Sequence, residues 1–429
     1  MTRESRARRE DVRLDRRTAW VAAGVSGLVL IVAAAVLVPW DWLPGAELRP
    51  VDATDVFSAE ELARAEDHAS VVRPLGLAST ALSLLVLGAL ALTPWGRRLA
   101  TAVARRLPWW LAAPVVVLVA LTAARLATTP LAYLVRRRNL EAGLTDQPTG
   151  AWLVDRALGL GVSVVTTSLL VLLVVATARR FPRRWFLPAG ALAAALVMGG
   201  SFAYPLLVEP LFNRFTPVPD GPFRTAALEL AEREGVEVED VLVADASRRT
   251  TTLNAYVSGL GGTRRIVVYD NLLDGVPLDQ AMSVVAHELA HVRHQDVLVG
   301  TTLGAAGAVL AVCALALLLD TGAVRSRAGP AGGPAVAGVL VAVLAVGTFL
   351  SGPVENVVSR AIEARADRTA LVATGDPDAF EAVQRQLSIR SLADPTPPEW
   401  ARIWFSSHPT VLQRLGLAEA FREGRGEWG

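Results

Sequence analysis

No lysine occurs among these 429 residues; every basic side chain is an arginine. With the heavy use of alanine, valine, glycine and proline, this hints at a GC-rich, bacterial coding bias. Cysteine is nearly absent as well. The single Cys313 lies in an apolar run, which excludes an internal disulfide and a thiolate metal site. Any metal must therefore be held by histidine and carboxylate. Charge is scarce: 19% of the residues are charged, against about 25% in an ordinary soluble domain. A formal net charge of +1, with no cluster of basic and aromatic residues, gives no reason to invoke nucleic acid. Internal repeats and low-complexity tracts are also missing.

What is abundant is apolar sequence, 52% of the chain, gathered into long runs. Such runs point to a lipid bilayer as the solvent. Residues 20–38 form an uncharged run long enough to cross a hydrocarbon core of roughly 30 Å at about 1.5 Å per residue. That is too long for the apolar part of a cleavable signal, and Pro39-Trp40-Asp41 is a poor cleavage site. Six further spans are expected at about 74–93, 109–134, 157–178, 185–207, 297–319 and 334–351. An acidic stretch at 39–73 should carry a short surface helix opened by Ser58 as its cap. Arginine-rich loops separate several spans, notably Arg97-Arg98 with Arg105-Arg106 and Arg179-Arg180 with Arg183-Arg184. Arg125 interrupts the third run; either it faces protein or water, or it lies near a helix end and snorkels.

Between 209 and 296 the chain is soluble in character. The pattern predicts a helix over 223–234 ended by Gly235, and strands at 240–245, 253–258 and 265–269 with a glycine-rich turn at 259–263. A helix over 278–295 follows, opened by Pro277. It carries Val285-Ala286-His287-Glu288-Leu289-Ala290-His291, an H-E-x-x-H pattern. Residues four apart share a helix face, so His287 and His291 can present two imidazoles to one ion. Glu288, beside them, could take a proton from water held there. An isolated match also arises by chance, and two histidines leave a catalytic zinc site one protein ligand short. The region after the seventh span offers Glu355, Glu363 and Asp367. Glu363 and Asp367 are four apart on one helical face, where one could bind metal and the other orient a ligating imidazole. The bland alternative is a solvated face with Arg360 and Arg365 as ion-pair partners.

Several separated motifs add to this. They are Pro210-Leu211-Phe212-Asn213-Arg214-Phe215-Thr216-Pro217, Ser247-Arg248-Arg249 and Asn254-Ala255-Tyr256-Val257-Ser258-Gly259. The zinc motif follows, then Ser359-Arg360 with Glu363 and Ala366-Asp367, then Ser407-His408-Pro409 with Arg414. In this order they resemble the CAAX prenyl protease 1 family, integral-membrane zinc endopeptidases of the gluzincin type. The resemblance covers nearly the whole chain. It implies one zinc per chain, held by His287, His291 and Glu363, with Glu288 as general base. It implies that Asp367 orients a ligand, that His408 steadies an oxyanion, and that Arg414 holds substrate or site. An extended edge at Asn254, Ala255 and Tyr256 could pair with substrate main chain; an ordinary strand is the plainer reading. His294 is taken as a structural neighbour. The resemblance also implies that the seven helices enclose a water-filled chamber with the zinc site at its rim.

The expected fold is therefore mostly α: a polytopic membrane protein of about seven helices plus a small α+β zincin-like region with a short sheet. Its parts are 1–208 (tail and spans one to five), 209–296 (zincin-like), 297–352 (spans six and seven) and 353–429 (helical, supplying the third ligand). The expected partners are a peptide or protein substrate and the bilayer of a bacterial cytoplasmic membrane. CAAX-type trimming, membrane-protein quality control and peptide processing all fit. An inactive membrane scaffold that keeps the peptidase fold is the alternative, and a seven-helix transporter would need more ionisable residues within its spans than Arg125. Arginine counts give conflicting orientations: 7 in the tail and 4, 4 and 2 after spans two, four and six, against 3 and 4 after spans one and three. The positive-inside rule then puts the zinc region outside, whereas the resemblance implies the cytosolic side.

Overall fold

The computed structural model describes residues 13–259 and 261–428. Arg3, Arg6, Arg8 and Arg9 of the basic tail, and Leu260 of the glycine-rich turn, lie outside the described residues. Among the described residues, seven helices are long and apolar enough to cross a membrane. The spanning helices are α1 (Arg16–Leu37), α2 (Ala59–Leu92), α4 (Trp109–Glu141), α5 (Thr149–Arg180), α6 (Phe186–Leu207), α9 (Asp296–Leu319) and α10 (Val336–Thr374). Most of the expected spans are longer in the structure than their apolar runs, because the helices continue into polar sequence at their ends.

Two expectations need correction. The short helix at Ser58 is not separate: it runs on into the second span as one helix, α2, with Pro74 inside it. Ser58 does cap it, in a reciprocal box in which the Glu61 N–H donates to the Ser58 Oγ and the Ser58 N–H to the Glu61 carboxylate. The arginine-rich stretch after this span is not a loop either but a helix, α3 (Pro94–Arg106). It buries Ala100 and leaves Arg97, Arg98, Arg105 and Arg106 exposed. Gly96 lets α3 start hard against the end of α2, since a Cβ there would sit 1.6 Å from the Leu90 carbonyl oxygen.

After α6 comes a four-stranded sheet in the order β1-β2-β4-β3, with β1 at Phe215–Pro217, β2 at Asp240–Ala244, β3 at Ala255–Ser258 and β4 at Arg265–Tyr269. β1 was not anticipated; three residues ending in proline are too short for an alternation to show. β2 and β4 are parallel, and the outer pairs are antiparallel. The strands obey the period of two. Val241, Ile266, Val268 and Ala255 face α7 (Pro222–Arg233) and α8 (Leu278–Arg293), packing on Leu230, Val285, Ala286 and Leu289. Leu242, Ala244 and Val267 form a small cluster on the opposite face with Phe215, Tyr256 and Tyr269. β3 ends the sheet, so one of its edges is free among the described residues.

The last segment carries α11 (Pro377–Ser391), α12 (Glu399–Phe405) and α13 (Val411–Arg422). α10 passes from the seventh span straight into this region, so a division at 352 falls inside one unbroken helix. It packs along α8 through small residues: Ala286 and Ala290 on one side and Ala364, Ala366 and Ala370 on the other, all at most 3% exposed. Without large side chains between them the two helices approach closely, and polar groups on their facing turns can meet.

Candidate functional site

Where α8 crosses α10, donor atoms from His287, His291 and Glu363 lie within 4.8 Å of one another. The four-residue spacing stacks the two imidazoles on one face, and their Nε2 atoms are 3.2 Å apart. Glu363 comes from the facing helix. Its Oε2 is 3.2 Å from His287 Nε2, and its Oε1 is 3.7 Å from His291 Nε2. Of the three carboxylates weighed for this position, Glu355 is exposed and stands outside the group.

The remaining nitrogen of each ring faces a buried aspartate. His287 Nδ1 is 2.8 Å from Asp367 Oδ1, and His291 Nδ1 is 2.8 Å from Asp296 Oδ2. Each aspartate is in turn engaged by an arginine: Asp367 by both Nε and Nη2 of Arg414, and Asp296 by Nη2 of Arg365. A carboxylate at Nδ1 fixes the tautomer that carries its proton there, leaving the Nε2 lone pair for the centre of the cluster. Asp296 escaped the sequence reading. The available signal was an acidic residue at the start of the next helix, five positions after the second histidine.

Glu288 is half-buried next to His287, and burial holds its carboxyl above its ordinary pKa. His408 reaches the cluster from the loop between α12 and α13, with Nε2 3.2 Å from Glu363 Oε2 and Nδ1 2.9 Å from the Ser407 hydroxyl. Arg360 secures that loop by donating to the Ser406 carbonyl at 2.7 Å. Arg360 and Arg365 therefore bind groups of the site region and do not decorate a solvated face. His294 turns away and bonds the Thr369 hydroxyl at 2.9 Å. Four of the chain's five histidines thus lie on α8, just past its end or in this loop.

Two of the other singled-out motifs grip each other. Arg248 donates to the Phe212 carbonyl and Arg249 to the Asn213 side chain, which anchors the segment after α6 beside the sheet. Thr145, from the α4–α5 turn, donates to the Arg249 carbonyl at 2.7 Å. Just before β3, the Asn254 carbonyl accepts from the Tyr269 N–H at 2.9 Å. Hydrogen-bonded and free residues alternate along an antiparallel edge, so Asn254 and Tyr256 turn their backbone toward β4. Ala255 and Val257 turn theirs toward the free side. Arg414 is occupied with Asp367 and is not placed at this edge.

Two family models match the chain: "CAAX prenyl protease N-terminal, five membrane helices" over residues 45–214 and "Peptidase family M48" over residues 219–421. An uncharacterized metalloprotease of Bacillus subtilis, YhfN, is 27% identical over 302 residues, which is 68% of this chain and 70% of that one. CAAX prenyl protease 1 of Saccharomyces cerevisiae is 39% identical over 88 residues, covering 20% of this chain and 19% of its own. A rice homologue of that protease is 29% identical over 220 residues, 50% of this chain and 51% of its own. The crystal structure of S. mikatae Ste24p superposes with a TM-score of 0.73 at 17% identity, covering 94% of this chain and 99% of that one.

Proposed function

This chain belongs to the M48 metallopeptidases of the CAAX prenyl protease type, and we propose that it is a zinc endopeptidase acting at the membrane surface. The observation that carries the reading is the convergence of His287, His291 and Glu363, with both Nδ1 atoms already committed to carboxylates. The donor set suits zinc. Two nitrogens bound tetrahedrally at about 2.0–2.1 Å would stand about 3.3 Å apart, close to the 3.2 Å between the Nε2 atoms. Two imidazoles and one carboxylate also leave an open position, the arrangement of catalytic zinc.

When bound, zinc would supply Lewis acidity at the scissile carbonyl and make water nucleophilic near neutral pH. The chain's residues do the rest. Glu288 takes a proton from the attacking water and delivers it to the leaving nitrogen as the C–N bond breaks. His408 offers an N–H to the oxyanion that develops on the carbonyl oxygen, a contribution of about 3–4 kcal/mol in comparable sites. Asp367 and Asp296 hold the imidazoles, and Arg414 and Arg365 hold the aspartates. The free side of β3, at Ala255 and Val257, receives substrate main chain as an added strand.

In this reading residues 209–296 and 353–429 form one catalytic unit on a seven-helix base, 1–208 with 297–352. Its substrates are peptides or proteins presented at the bilayer, with CAAX-type trimming of a C terminus the form suggested by its relatives. Purified protein should hold about one zinc per chain and cleave a mixed peptide library, and a chelator should stop the cleavage. Cleavage that continues after complete zinc removal would reject the proposal.

A further inference from the structure

Arg125 sits in the middle of α4, within a helix apolar enough to span the bilayer. Among the described residues no carboxylate pairs with it. A second arginine comes from the neighbouring span: Arg156 of α5 donates to the Thr129 hydroxyl at 3.3 Å, one turn along from Arg125. Arg156 also lacks a carboxylate partner among the described residues; its guanidinium lies 5.1 Å from the centre of the Trp152 ring. Uncompensated charge at membrane depth is costly, and such residues belong to functional sites by default.

Arg125 lines a cavity of about 430 Å³ between α2, α4, α5 and α10. Hydroxyls share that wall: Ser79 and Ser83 of α2, Thr128 of α4, Ser163 of α5 and Thr348 of α10. Of these, Ser79, Ser83 and Thr348 have no hydrogen-bond partner among the described residues, so they are free to donate. Leu121 and Phe349 make the remaining wall apolar. The volume lies within the range of small-molecule sites, about 300–1,000 Å³.

We propose that this cavity binds the anionic head, carboxylate or phosphate, of an amphiphile. Arg125 is the receiving cation, the hydroxyls donate to the remaining oxygens, and the tail lies along Leu121 and Phe349. Guanidinium against carboxylate or phosphate is the strongest pairing a side chain offers. The inference does not depend on the peptidase reading. The head could belong to a peptide's C terminus or to an anionic lipid.

The test uses the full chain in a neutral maltoside detergent and a fluorescent single-chain amphiphile ending in a carboxylate, set against its carboxamide. Wild type should bind the carboxylate about tenfold more tightly or better. Arg125→Gln should erase that preference, Arg125→Lys should keep part of it, and Arg98→Gln on the exposed face of α3 should leave it intact. Competition separates the sources. Displacement by phosphatidylglycerol but not phosphatidylcholine assigns a lipid head, and displacement by a free but not an amidated peptide C terminus assigns a peptide carboxylate. Equal binding of carboxylate and carboxamide by wild type, a comparison that needs no variant, overturns the proposal. So does a preference that survives in Arg125→Gln.

Discussion

Asp296 Oδ2 stands 2.8 Å from His291 Nδ1, so the first residue of a membrane span holds a histidine at the end of the H-E-x-x-H helix. Gln295, in the left-handed region at φ 56°, makes this reach feasible by turning the chain between α8 and α9 within two residues. The pairing mirrors that of His287 with Asp367, down to the arginine behind each aspartate. The face of α8 that carries His287 and His291 is thereby tied at one histidine to span six and at the other to the continuation of span seven. Any tilt between those spans would be felt at the donor atoms.

Asp296→Ala should weaken zinc binding by about 10- to 100-fold, the usual effect of removing a partner from a ligating imidazole. Chelator competition on purified protein measures it, with Asp367→Ala as the parallel case. Unchanged zinc affinity in Asp296→Ala would mean that its contact with His291 is incidental.

Much of this was legible beforehand, for physical reasons. Membrane spans announce themselves through length and hydropathy, and His287, Glu288 and His291 share a single helical turn that spacing alone reveals. Glu363 and Asp367 were legible as a face, and spacing together with the resemblance named them as partners of the histidines. What spacing alone does not show is the contact itself, which spans 76 residues and depends on small alanines at the α8–α10 crossing. Asp296 was hidden because it belongs to the next helix, reached through a backbone conformation that glutamine seldom adopts. The arginines after α2 read as a loop because charge density masked a helix with a single buried face.

Glu288→Gln preserves volume and hydrogen bonding but cannot accept a proton. Peptide cleavage should fall by about 10²- to 10⁴-fold, with zinc content unaltered by metal analysis. Full activity in this variant would remove Glu288 from the mechanism.

The pH profile follows from the same group. As the proposed general base, Glu288 would act only when deprotonated, and burial raises its carboxyl. As pH falls, kcat/KM should therefore decline through an acid limb lying above the ordinary glutamate value of about 4.3. A limb at or below that value would show that another group limits the rate.

Arg414 and Asp367 form a bidentate pair, with the aspartate 1% exposed. Arg414→Ala removes the buried cation from Asp367 and leaves His287 as its neighbour, so the protein should lose up to about 3–5 kcal/mol of stability. The double variant Asp367→Asn, Arg414→Met removes both charges and should recover part of the loss. Thermal melts in detergent distinguish the cases. A single variant that melts like wild type would show that water or another group compensates Asp367.

The free side of β3 offers the most direct test of how substrate is held. Val257 shares the register of Ala255, so its N–H points away from β4. Proline at 257 removes that donor and leaves the ladder to β4 unbroken, a setting in which an edge strand tolerates it. If substrate main chain pairs here, Val257→Pro should lower kcat/KM for peptides by about tenfold or more, the scale of one lost hydrogen bond with its partner left unsatisfied. The melting temperature should stay near that of wild type. Val257→Thr, which keeps the N–H, is the control and should cleave normally. A Val257→Pro protein that melts and cleaves like wild type would show that the Val257 N–H does not bind substrate.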